Sequence, residues 1–314
     1  MRKTVLLLIV LFVSFSGLYA QPFSKVIVDT TTLMDANDSN YVYAVADFNG
    51  DRVADLYCIK ESNTGSLKTE VHVLSGAAYF QKFIVQEATP IPLEPGNYTY
   101  ALADYNNDRV PDLYAIKKRN TPGNKLEVHI LDGANRYRSF LLQTSTPLDV
   151  NEADYIYSVG TYDPNRTDRV PDVYAVMKSH SASLQTEVHV LNGAVRYSAF
   201  NLQTPTLLSL KNKDNDFIVA DYDWDAISDV YVVQKDNTAS GFLELHLMNG
   251  SYAYQRYKLE TATPLPVKAE NTLYLAGDYD RDDACDFFAI RQGNTASGKV
   301  EVKILCGRCK KPKK

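Results

Sequence analysis

The chain has 314 residues, a formal net charge of −5 and 45% hydrophobic residues, so it can bury a sizeable core. The acidic balance argues against a nucleic-acid partner, which calls for a basic patch. Past the first twenty residues no stretch is apolar enough to span a bilayer, so the protein is not expected to be membrane-spanning.

Residues 1–20 read as a cleaved secretory signal. Arg2 and Lys3 give a basic start, Val5 to Val13 an apolar run, and the segment ends on Ala20. The expected product is an extracellular chain of residues 21–314, with 31 basic against 38 acidic residues. Disulfides are allowed there.

The next segment, Phe23-Ser24-Lys25-Val26-Ile27-Val28-Asp29-Thr30, is a strand without a unit of its own. It matches Phe80 to Glu87, 57 residues later. From residue 41 the chain repeats. Asp51-Arg52-Val53-Ala54-Asp55-Leu56-Tyr57 returns as Asp108 to Tyr114 and as Asp168 to Tyr174, with weaker copies ending at Tyr231 and Phe288. The anchoring aspartates are 55, 112, 172, 229 and 286, and three extra residues enter copy three between Asp163 and Asp168. The units run over about 41–97, 98–154, 155–214, 215–271 and 272–309, the last completed by strand 23–30.

Each unit reads as four short strands rich in Val, Ile, Tyr and Phe, separated by turn residues. In copy one they are expected at 41–46, 55–60, 69–75 and 80–87. Four strands per repeat is the pattern of a propeller blade. The last copy lacks a fourth strand, and the N-terminal segment supplies one. The expected fold is therefore all-β, a single five-bladed β-propeller whose N-terminal strand closes the last blade and removes a free edge.

Between the first and second strands each copy carries a spaced acidic loop. Copy one has Asp47, Asn49, Asp51 and Asp55; copy two has Asp104, Asn106, Asp108 and Asp112. Copy four has Asp221, Asp223, Asp225 and Asp229; copy five has Asp278, Asp280, Asp282 and Asp286. Oxygens at positions 1, 3, 5 and 9 of a tight loop suit a hard cation such as Ca²⁺. In copy three Thr161 replaces the first aspartate, so Asp163, Asp168 and Asp172 make a weak site. The metal-free alternative is Asx-turn chemistry.

These loops and the tandem β units resemble FG-GAP and VCBS-type repeats, as in the propellers of integrin α chains. The run from Asp104 to Lys117, followed by Thr186 to Ala194, is most similar to repeats attached to secreted actinobacterial hydrolases. The resemblance implies calcium in the loops as a stabilising cofactor. One departure is position 6, where the family has Gly and this chain has Arg52, Arg109, Ala226 and Asp283.

Four histidines, His72, His129, His189 and His246, recur in the third strand and are expected to pack within their own blades. Cys285 follows the first strand of the last copy, and Cys306 and Cys309 follow its third. A disulfide Cys285–Cys309 or Cys285–Cys306 is expected, with Cys58 buried. Residues 310–314 form a basic, solvated tail.

The chain shows no nucleophile elbow, no HExxH and no phosphate loop. Propeller glycosidases use carboxylates that break the repeat, whereas the prominent acids here belong to it. The expectation is therefore no enzyme but a calcium-stabilised, non-catalytic binding module. Polar loops and 22 tyrosines suggest an extracellular glycan or glycoprotein as partner. The alternatives are an adhesion or matrix-assembly protein that binds other proteins, and a glycoside hydrolase-like propeller enzyme.

Overall fold

Each repeat folds into one antiparallel, four-stranded sheet, and five such sheets form the ring. The computed structural model describes residues 21–151, 153–210, 215–267 and 269–309. The signal read over residues 1–20 and the tail 310–314 lie outside the described residues. Blade one is β2 (Tyr41–Ala46), β3 (Asp55–Lys60), β4 (Lys68–Leu74) and β5 (Phe83–Pro92). Blade two is β6 (Tyr98–Ala103), β7 (Asp112–Lys117), β8 (Lys125–Leu131) and β9 (Phe140–Asp149). Blade three is β10 (Tyr155–Gly160), β11 (Asp172–Met177), β12 (Gln185–Leu191) and β13 (Phe200–Ser209). Blade four is β14 (Asn215–Ala220), β15 (Asp229–Gln234), β16 (Phe242–Met248) and β17 (Tyr257–Pro266). Blade five joins β18 (Thr272–Gly277), β19 (Asp286–Arg291) and β20 (Lys299–Leu305) to β1 (Val26–Asp35).

Closure works through backbone pairing of the two ends of the chain. Val28 pairs with Ile304 and Thr30 with Val302 in an antiparallel ladder. The Phe23 amide donates to Cys306 O at 2.9 Å and the Cys306 amide to Lys25 O at 3.0 Å. The innermost strands β2, β6, β10, β14 and β18 neighbour one another around a central channel. The second strands are buried almost end to end, as their unbroken apolar runs require.

Two repeated devices hold the blades. In the first, the Tyr137 hydroxyl meets that of Tyr57 at 3.0 Å, Tyr197 that of Tyr114 at 3.2 Å and Tyr254 that of Tyr174 at 3.3 Å. Each pair ties one blade to the one before it, and burial raises the phenol pKa values well above the usual range. In the second, the anchoring aspartate accepts a backbone amide from the turn after the third strand. Gly76, Gly133, Gly193 and Gly307 donate to Asp55, Asp112, Asp172 and Asp286 at 2.8 Å, and Gly250 to Asp229 at 2.9 Å. A Cβ at Gly133 would lie 2.2 Å from Pro111 O, so the turn demands glycine.

Two expectations are corrected. The fourth strand of copy one begins at Phe83, not residue 80, because Tyr79 and Phe80 take left-handed backbone angles in the preceding turn. The disulfide is Cys306–Cys309, not a bond to Cys285. One tight turn holds those two Cα atoms 5.6 Å apart. The Cys285 thiol instead faces Asp221 O of blade four at 3.3 Å. Cys58 and Cys285 are free and buried. The four repeated histidines each face the glutamate two residues earlier, at 3.1–3.4 Å, within their own blade.

Candidate functional site

The acidic loops sit at the C-terminal ends of the inner strands. In loop one Asp47 Oδ1 accepts the Gly50 amide and Oδ2 the Arg52 amide, at 2.9 and 2.7 Å. Asn49 accepts from the Asp51 amide and Asp51 from the Val53 amide, both at 2.9 Å. Loop two repeats this set with Asp104, Asn106 and Asp108. Position 6 takes the left-handed angle for which glycine is suited: φ is 66° at Arg52, 73° at Arg109, 70° at Ala226 and 59° at Asp283. The anchoring aspartates at position 9 point instead into the blade. Burial pushes their pKa values up, to about 6 for Asp55, Asp112 and Asp229 and about 7 for Asp172 and Asp286.

Loops four and five gather three carboxylates each. Ligand oxygens of Asp221, Asp223 and Asp225 lie within 4.8 Å of one another, as do those of Asp278, Asp280 and Asp282. In loop five, burial raises the pKa values of all three, with mutual repulsion adding at Asp280 and Asp282, the last to about 6. Among the described residues no cationic side chain forms an ion pair with these three carboxylates, and the donor set fits a hard cation. Loop four differs. The Lys258 ammonium, from β17, reaches Asp223 at 2.7 Å, Asp229 at 3.0 Å and Asp225 at 3.6 Å. Burial alone would lower its pKa, but Asp223 and Asp229 hold it above the usual value. In loop three Asp163 is spent on the Thr167 hydroxyl and the Asp168 amide, and Asp168 on the Val170 amide. Asp172 accepts from Tyr162 and Gly193.

The opposite mouth of the channel is lined by the starts of the inner strands. A cavity of about 370 Å³ there is walled by Tyr43, Tyr98, Tyr100, Phe217, Lys118 and Gln292. Beside it a polar cavity of about 720 Å³ shares Leu273 and Gln292 and adds Asp38, Asp216 and Lys235. Two carboxylates have no counterpart in the other blades: Asp216, which lines the polar cavity, and Glu61, which lines neither cavity but lies next to Tyr100 and Lys118 of the first. Glu61 stands where the others have Lys118, Lys178, Lys235 and Gln292. Asp216 stands on an inner strand where the others have Val42, Thr99, Ile156 and Leu273.

The Glu61 carboxyl pKa is raised by burial, against the opposing pull of the Gly96 amide, Lys118 and the Tyr100 hydroxyl. Its Oε1 is buried without a hydrogen-bond partner. Asp216 forms an ion pair with Lys235 at 2.9 Å. Sequence reasoning missed both because it followed what recurs. Aligning the copies and asking which carboxylates occur once would have found them.

No family model matches the sequence, and no curated protein matches it. Solved structures do match the fold. A GH62 hydrolase in complex with xylotriose aligns with a TM-score of 0.53 at 9% identity, over 91% of this chain and 99% of that one. The α-L-arabinofuranosidase of Podospora anserina, in complex with cellotriose, aligns at 0.53 and 8% identity, over 90% and 98%. The catalytic domain of the Coprinopsis cinerea GH62 α-L-arabinofuranosidase aligns at 0.53 and 8%, over 92% and 99%. At this identity the likeness is one of fold. It nevertheless corrects the expectation of a non-catalytic binding module that is no enzyme, since the matching rings are hydrolases. The prominent acids do belong to the repeat, but Glu61 and Asp216 stand outside it.

Proposed function

We propose that this protein is a glycoside hydrolase-like enzyme acting on extracellular carbohydrate at the channel mouth opposite the acidic loops. The observation that carries this reading is Glu61, a carboxyl that occurs in one blade only, with a raised pKa and an unpartnered buried oxygen beside the mouth. A glycosidase needs one carboxyl that stays protonated to donate to the departing sugar oxygen, and one carboxylate to act on the other side of the bond. Glu61 has the environment of the acid. Asp216, with Lys235 beside it, takes the second role. Tyr41 and Tyr100, part-exposed in the cavity wall, offer ring faces and hydroxyls to a sugar. In this reading residues 1–20 are a secretory signal and the protein is extracellular; among the described residues no helix is long and apolar enough to cross a membrane.

The test is release of reducing sugar from a panel of polysaccharides and arabinofuranosyl substrates. Glu61→Gln should reduce turnover at least about 100-fold, within the range of general acid catalysis, while leaving the melting temperature near that of the wild type. Absence of turnover by the wild-type protein on every substrate would overturn the reading.

Calcium is the structural cofactor in this reading, held by loops of the FG-GAP/VCBS type. Loops one, two and five supply the acceptors: Asp47, Asn49 and Asp51; Asp104, Asn106 and Asp108; Asp278, Asp280 and Asp282. Loop four carries its own ammonium in Lys258.

A further inference from the structure

We propose that a cleft between the third and fourth acidic loops binds a saccharide ring bearing a carboxylate. Two departures from the repeat meet there. The first is Trp224, the only tryptophan of the chain and 60% exposed. It sits at position 4 of loop four with φ 59°. Gly50, Asn107 and Arg281 occupy the same left-handed slot in loops one, two and five. A bulky aromatic residue is poorly suited to that backbone. The second is the three-residue insertion of loop three, which carries Arg166. Its guanidinium crosses to Asp225 O at 3.4 Å. Together they enclose a cavity of about 320 Å³ that Arg169 also lines, at the small end of ordinary ligand pockets.

The chemistry of the cleft selects the ligand. An exposed indole offers a flat apolar face to the C–H face of a sugar ring. Asp163 and Asp168 line the cleft as well, but each already accepts hydrogen bonds from its own loop. Arg166 and Arg169 are exposed, and neither forms an ion pair among the described residues. Two guanidinium groups without an ion pair beside an aromatic plane match a carboxylate, which they can grip in bidentate fashion. A uronic acid residue combines the ring and the carboxylate. The cleft lies at the acidic-loop end, away from Glu61, so this site does not depend on the hydrolase reading.

Because Trp224 is the sole tryptophan, indole fluorescence reports this cleft and nothing else. Titration of the protein with trigalacturonate should give a saturable shift, and xylotriose, which lacks a carboxylate, should bind at least tenfold more weakly. The double variant Arg166→Ala/Arg169→Ala should lose at least tenfold in affinity with an unchanged melting curve. Calorimetry on Trp224→Ala should show the same loss without the optical probe. A silent fluorescence titration, equal binding of the two trisaccharides, or full affinity in the arginine double variant would each overturn the proposal.

Discussion

The two ends of the ring are built on opposite rules. At the acidic-loop end a set of polar contacts recurs, and departures stand out against it: glycine amide to anchoring aspartate in all five blades, aspartate to amide within the loops, tyrosine to tyrosine between three pairs of blades. At the mouth the backbone recurs but some side chains diverge, so that one blade has a glutamate at the position filled by lysine or glutamine in the others. Repetition marks the residues that hold the ring together. Singular residues mark the places where it can do something a single blade cannot.

The harshest way to break this comparison is to remove the closing strand. Deleting residues 21–35 takes away β1 and leaves the β20 edge unpaired, an invitation to aggregation. The expected outcome is loss of the soluble, cooperatively melting protein, read by size-exclusion chromatography and calorimetry. A truncated chain that melts like its parent would mean the ring is held without that strand.

A smaller effect separates recurrent turns that need glycine from those that merely contain it. Gly133→Ala forces a Cβ against Pro111 O at 2.2 Å and should cost on the order of 3 kcal/mol, the upper end of what overpacking costs. Gly50→Ala has nothing within 4 Å and pays only for its left-handed angle of 73°, about 1 kcal/mol. Denaturant titration of the two variants gives both numbers. Equal losses would show that the close contact at Gly133 is relieved by backbone movement.

The buried anchoring aspartates give a pH dependence with a definite sign. Their folded pKa values of about 6 to 7 exceed the ordinary value near 3.8. The folded state therefore binds more protons than the unfolded one between those limits, and stability falls as pH rises through them. In chelator, the melting temperature should rise by several degrees between pH 7 and pH 5. A flat profile over that window would show that the amide hydrogen bonds fully offset the cost of burying the charge.

Much of this architecture was legible in the sequence because it is repeated. The period, the four strands and the complementary ends follow from residues that return every 57 positions, or 60 where copy three carries its insertion. What was not legible depends on where side chains point across blades. Cys285 faces blade four rather than the turn that holds Cys306 and Cys309, and loop spacing carries no trace of that direction. Glu61 and Asp216 are ordinary acids in the sequence and become notable only when each copy is compared with the other four. Lys258 is invisible for a further reason. It enters loop four from a strand about 30 residues away, at a position held by Ile27, Ile84, Leu141 and Asn201 in the other copies.

That lysine allows the finest test of the contrast between recurrence and exception. If calcium neutralises the loops that lack an internal cation, loop four is the exception, because Lys258 already sits within 3.0 Å of Asp223 and Asp229. Removing the ammonium in Lys258→Met leaves a buried carboxylate at Asp229 without its partner. In chelator the variant should lose about 1–3 kcal/mol, the usual cost of an orphaned buried polar group. Calcium can then enter a loop whose three clustered carboxylates are free of the lysine. A site that binds only the folded state adds about 2.7 kcal/mol at a hundredfold excess over Kd, so millimolar calcium should raise the melting temperature of the variant more than that of the parent. The same protocol on Asp282→Ala, in loop five, should shrink the calcium response instead. Identical calcium responses in the parent and in Lys258→Met would mean that the ammonium does not stand in for the ion, and that loop four was never a cation site.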